Sequence, residues 1–154
     1  MTSPPELNTL RIEIDDEIAT LTLDRPDAFN AMSPELIGEL TTAMAWLADQ
    51  GEFRALIVTG AGKAFCAGGD VNWFRKGIED PDHDISADVR RGAEALHTAI
   101  IDLRRIKQPV IAAVNGPAAG AGFSLALACD FRISAEGAFF APRTAASAPR
   151  PTAA

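Results

Sequence analysis

The sequence has no basic run, only two cysteines and only two histidines, and each shortage closes a class of function. Lys and Arg total 14 against 21 Asp and Glu, a formal net charge of −7. Phosphate contacts supply most nucleic-acid affinity, so no nucleic-acid partner is expected. Cys66 and Cys129 sit in apolar or Gly-rich surroundings without metal-ligand spacing. That argues against a disulfide framework and against any metal site, and it fits a reducing cytoplasm. The start carries Pro4, Pro5 and Glu6 rather than a basic residue followed by an apolar run, so no secretory leader is expected. Wholesale disorder is excluded by 47% apolar and 23% charged residues, and 154 residues correspond to about one domain.

The longest uncharged stretch, residues 108–129, has 22 residues, enough in principle to span a bilayer. Asn115-Gly116-Pro117 and the small residues after it interrupt a helix and partition weakly into lipid. A buried strand followed by a buried helix is therefore expected, with no membrane partner.

Residues 10–14 and 18–23 alternate apolar and polar side chains around Asp15-Asp16-Glu17, the pattern of a hairpin. Ser33 is a natural N-cap with Pro34 behind it. Leu36, Ile37, Leu40, Met44 and Leu47 follow at helical spacing, and Gly51 is the expected stop. Residues 55–59 and 110–114 are short apolar runs, hence buried strands. Between them lie a Gly-rich loop over 60–69, a short helix after Asp70 and a polar surface loop over 79–84. A long helix follows over 86–105, with Val89, Ala93, Leu96, Ile100 and Leu103 as its inward stripe. A second Gly-rich turn over 115–120 leads to a helix over 121–128 and strands over 131–134 and 138–140. Such alternation predicts an α/β layered fold with mainly parallel pairing.

Nucleotide motifs fail in both Gly-rich turns. Gly62-Lys63 resembles the end of a P-loop, but Ala64 stands where Ser or Thr is required and Ile57 where the first glycine belongs. Gly60-Ala61-Gly62 and Gly120-Ala121-Gly122 end on Phe65 and Leu125 instead of the last residue of a dinucleotide fingerprint. Gly122-Phe123-Ser124-Leu125-Ala126 falls one residue short of a nucleophile elbow, and His83 and His97 both precede Ser124. What remains is a repeated arrangement: a strand, a turn of small residues with unblocked backbone N–H groups, and a helix start. Two such turns converging on one oxygen have the physics of an oxyanion hole. Tight strand–helix packing also favours Gly and Ala, so composition leaves both readings open.

The segments LDRPDAFNAM, IVTGAGKAFCAGGDV and PVIAAVNGPAAGAGFSLALACD, in this order and spacing, resemble the enoyl-CoA hydratase/isomerase (crotonase) superfamily. The resemblance runs over residues 10–140. It implies an α/β fold, a crotonase-like spiral of β-β-α turns, that binds an acyl-CoA thioester, with coenzyme A as part of the substrate and no separate cofactor. It implies that the backbone N–H groups of Gly69 and Ala121 form the oxyanion hole. Arg25, Asp27, Ala28, Ala67, Gly68, Asp70 and Val71 would line the CoA site, largely through backbone atoms. Asp70 and Asp130 also read as capping or structural groups.

Two departures qualify what the resemblance implies. Ser124 stands where hydratases of the family carry a catalytic Glu, and a hydroxyl cannot serve as a carboxylate base near neutral pH. Isomerase-type chemistry is therefore expected over water addition. The family's Pro-Asp-Gly-Gly-like turn is also absent. Residues 141–154 hold six Ala, three Pro, two Arg, two Thr and one Ser, a composition unable to bury a face. Reading codons allowed for residues 143–154 two nucleotides later yields a Ser-Pro-Asp-Gly-Gly string, as expected of a frameshift product. The sequence thus predicts a partial acyl-CoA-binding core over 1–140 and a disordered tail over 141–154. Missing C-terminal turns and trimerisation helices would impair a family trimer. Two functions stay open: an isomerase-type enzyme, and an inactive fragment with residual CoA binding, favoured by the lack of a carboxylate at a known acid/base position.

Overall fold

In the computed structural model, which describes residues 3–142, the chain turns at Asp16 and Glu17 to form a hairpin. Its strands are β1 (Leu10–Asp15) and β2 (Ile18–Leu23), in register from Leu10 opposite Leu23 to Asp15 opposite Ile18. Both turn residues take the left-handed φ, +47° and +65°, that a two-residue hairpin loop requires. Helix α1 (Pro34–Asp49) opens as expected, with the Ser33 hydroxyl accepting from the Leu36 amide at 3.2 Å. It ends before Gly51: Gln50 is already extended and its N–H bonds back to Trp46 and Leu47, so no left-handed glycine is needed.

Strand β3 (Ala55–Gly60) returns parallel to β2, and β4 (Val110–Val114) and β6 (Phe131–Ser134) add in parallel beyond it. The sheet order is β1-β2-β3-β4-β6. Leu21, Leu23, Leu56, Val58, Val110 and Val114 form its buried face, against Leu36, Leu40, Met44 and Leu47 of α1. The alternate residues of β3 and β4 are only partly covered, so these strands are half-buried rather than buried on both faces.

Asp70 starts α2 (Val71–Glu79), and Asp84 caps α3 (Ile85–Arg105) by accepting from the Ser86 and Ala87 amides. The α3 stripe departs from expectation. Ala99 and Leu103 are its buried positions, whereas Val89 is 41% exposed and Ala93 is exposed. The C-terminal half packs on the core; the N-terminal half sets Ile85 against Gly77 and Gly92 beside Ile37, and Val89, Ala93 and Leu96 line a cleft.

Residues 108–129 fold as β4, the two-residue β5 (Ala118–Ala119) and α4 (Ala121–Ala128). This is the strand-and-helix arrangement expected in place of a span, and among the described residues no helix is long and apolar enough to cross a membrane. The expected strand over 138–140 is β7 (Phe140–Ala141), paired in parallel with β5. Ala141, assigned above to a tail, therefore belongs to a strand; residues 143–154 lie outside the described region, as does the disorder expected of them.

Candidate functional site: two glycine-rich turns joined at one cleft

The loop after β3 has few side chains with which to hold itself, and two asparagines from elsewhere do so. Fully buried Asn30 accepts from the Arg25 amide at 2.9 Å and donates to the carbonyls of Ala61 and Ala64 at 2.9 and 2.8 Å. Asn115, just past β4, accepts from the Gly60 amide at 3.2 Å and donates to Gly62 and Ala64 at 3.1 and 3.2 Å. The loop then joins the second turn directly. The Phe65 and Cys66 amides both donate to the Pro117 carbonyl at 3.1 Å, and the Ala119 amide donates to Cys66 at 2.9 Å. A side chain at Gly122 would put its Cβ 2.5 Å from the Cβ and the carbonyl oxygen of Cys66. Tight packing thus explains Gly122.

It does not explain the amides of Gly69 and Ala121. The Met32 amide donates to the Gly68 carbonyl at 2.7 Å, and the Asp70 amide donates to the Met32 carbonyl at 3.2 Å. Backbone groups alternate in direction along an extended segment, so the Gly69 N–H faces away from Met32. Ala121 is the first residue of α4, where the N–H has no intrahelical partner and the helix end is positive. Neither amide has a hydrogen-bond acceptor among the described residues. Each follows a glycine at positive φ, +96° at Gly68 and +52° at Gly120, a backbone that L side chains rarely adopt. Gly69 and Ala121 line one cleft of about 440 Å³, walled by Met32, Ile37, Trp73, Phe74 and Leu96. The two turns, which spacing alone could not place together, thus border one cavity.

A second cleft of about 500 Å³ lies on the other side of Gly69, which borders both. Asp27, Ala28, Ala67, Asp70 and Val71 meet there, five of the residues expected around a CoA site. Arg25 and Gly68 do not line it. The Arg25 guanidinium is held at 3.0 Å by Asp70 and also donates to the Ala31 carbonyl. Asp70 uses its other oxygen to cap α2, accepting from Asn72 and Trp73 at 3.1 and 3.2 Å. Both side chains therefore brace the walls.

Ser124 stands apart. Its side chain is on an exposed face of α4, its hydroxyl donates to Gly120 of its own helix at 3.3 Å, and it lines neither cleft. Asp130 is structural as expected, accepting from Arg104 at 2.8 Å and from the Val110 amide at 2.9 Å. Burial pushes the Cys66 thiol up to about 11 and that of Cys129 up to about 12, so neither is a thiolate near neutral pH. The sequence reading missed Asn30, whose partners are 31 and 34 residues away, and the aromatic pair Trp73–Phe74, with ring centroids 5.0 Å apart. It also missed the charged pair in the first cleft, Asp88 and Arg91. An Asp cap followed by Trp and Phe was the one local signal available for α2 as a wall.

Comparison with known proteins follows the same lines. The enoyl-CoA hydratase/isomerase family model matches residues 13–146. A probable enoyl-CoA hydratase of Rhodobacter capsulatus is 41% identical over 134 residues, covering 86% of this chain and 48% of that protein. An enoyl-CoA hydratase structure from Bacillus anthracis superposes with a TM-score of 0.75 at 33% identity, over 86% of this chain and 50% of the other. A monofunctional enoyl-CoA isomerase from M. smegmatis superposes with a TM-score of 0.68 at 34% identity, over 86% and 52%. The chain spans about half the length of the curated relatives it matches.

Proposed function

Because the chain belongs to the enoyl-CoA hydratase/isomerase family, we propose that it binds an acyl-CoA thioester and stabilises the enolate formed from it. The thioester oxygen would sit between the Gly69 and Ala121 amides, with the acyl group in the first cleft and the CoA portion along the second. The carrying observation is that two unpartnered amides, from turns some fifty residues apart in sequence, line one cavity. Fixed donors aimed at a developing negative oxygen need no reorganisation during reaction, which is why they are effective. An apolar wall strengthens them by excluding water. The reaction is double-bond migration within the acyl chain rather than addition of water, since Ser124 offers no carboxylate.

The exposed position of Ser124 outside both clefts equally favours a second reading, binding without turnover. One experiment separates them: wild type and Ala121→Pro are incubated with a 3-enoyl-CoA, and conjugation of the double bond is followed by absorbance. Proline is tolerated at the first position of a helix, and there it removes the N–H and puts its ring Cδ in the hydrogen's place. The variant should keep its melting temperature and lose about 10²–10³-fold in turnover, as for one oxyanion donor removed. Equal turnover by a folded variant overturns the enolate reading; a thermal shift with CoA thioesters but no wild-type turnover establishes the second.

A further inference from the structure

The first cleft contains a carboxylate that neither the motifs nor the Ser124 position pointed to. Among its lining residues only Asp88 and Arg91 are charged, so Asp88 is the sole acid that lines this cleft with Gly69 and Ala121. It lies in the first turn of α3. One oxygen is 2.7 Å from the Nε2 atom of His83, which comes from the α2–α3 connection; the other is paired with Arg91. Asp88 is the more sheltered partner, at 23% side-chain exposure against 38% for His83 and 70% for Arg91. An i,i+3 ion pair alone would be an ordinary feature of a solvated helix face. A carboxylate that also lines an apolar cleft and is backed by an imidazole reaching toward water is arranged for proton transfer.

We propose that Asp88 is the proton-transferring carboxylate of this site and that His83 is its positioning residue. This rests on the acyl-CoA reading above. The Cα–H bond of the thioester breaks, its proton passes to a carboxylate oxygen of Asp88, and the electron pair moves onto the thioester oxygen as an enolate. The same proton, returned to the γ-carbon of an enoyl chain, completes double-bond migration, so no oxidant, reductant or second substrate is consumed. His83 keeps the carboxylate oriented toward the cleft.

The test uses phenylacetyl-CoA, whose α-protons are acidified by the ring and which has no aliphatic double bond to move. The chain is incubated with it in D2O, and α-deuterium incorporation is read by mass spectrometry beside the ligand-induced thermal shift. Asp88→Asn should lower exchange by about 10²–10⁴-fold, the range of general acid–base catalysis, with the thermal shift retained. Asp88→Glu should recover part of the rate, and His83→Gln should retain more of it than His83→Ala. A merely structural ion pair would change melting temperature in these variants and leave exchange by the bound complex unchanged, which overturns the proposal. Wild type that binds the probe without exchanging it overturns the proposal and leaves the binding reading standing. Wild type that does not bind overturns both. Should Asp88→Asn fail to fold, the Asp88→Glu and His83 variants carry the same comparison.

Discussion

Replacing Asn30 by Ala tests whether the loop geometry depends on side chains outside the loop. The substitution removes the acceptor of the Arg25 amide and a donor to the Ala61 carbonyl; the Ala64 carbonyl keeps Asn115. Each orphaned group at a water-poor site costs about 1–3 kcal/mol, so the two together cost about 2–6 kcal/mol. Asn30 also sits at φ +55°, where Ala is less favourable by about 1 kcal/mol. Total stability of a domain this size is on the order of 5–15 kcal/mol, so the loss is a large share of it. In urea, with a slope of about 2 kcal/mol per molar, a 4 kcal/mol loss moves the midpoint by about 2 M, followed by tryptophan fluorescence. Asn30→Gly removes the same hydrogen bonds without the backbone penalty and should recover about 1 kcal/mol over Ala. A loss below about 0.5 kcal/mol for Asn30→Ala, the scale of an ordinary surface change, would refute the claim that this side chain holds the loop.

Gly122→Ala places a methyl group against the Cys66 side chain and carbonyl. The two turns must separate, at a cost of about 1–3 kcal/mol, and a melting temperature equal to wild type would show that the contact is not rigid. Asp130 supplies a pH dependence. The Val110 amide, and then Arg104, hold its carboxyl below the ordinary carboxylate range. Its stabilising contribution is therefore present above the unfolded value, about pH 4, and is lost as pH falls through the lower folded value. Asp130→Asn should lower stability at pH 7 by no more than about 1 kcal/mol, because the partly exposed pair is screened by water. The difference from wild type should close below about pH 4, as read by denaturation midpoints across pH.

How far the sequence carried can be judged from α1 and α3. In α1 the cap, the proline and the apolar spacing are all local, and Ser33, Leu36, Leu40, Met44 and Leu47 take the expected places. In α3 the helix was legible but its inward face was not: Val89 and Ala93 have the spacing of core residues and are exposed. Periodicity reports that a face is apolar and is silent on whether protein or a ligand covers it. The same limit applies to Asp70, whose capping role is local, and to Arg25, whose guanidinium braces a residue 45 positions away.

By itself the chain determined its helices, the hairpin, the longer strands, mainly parallel pairing and the two glycine-rich turns, but not β5, which lies where a turn was expected. These follow from hydrogen bonds and side-chain periods spanning a few residues. Tertiary structure alone decided that Gly69 and Ala121 share a cavity, that Asn30 and Asn115 hold the loop beside it, that Ser124 lines neither cleft and that Asp88 lines the first. Each of those outcomes depends on contacts between segments tens of residues apart, and on which side of a helix the rest of the molecule leaves uncovered.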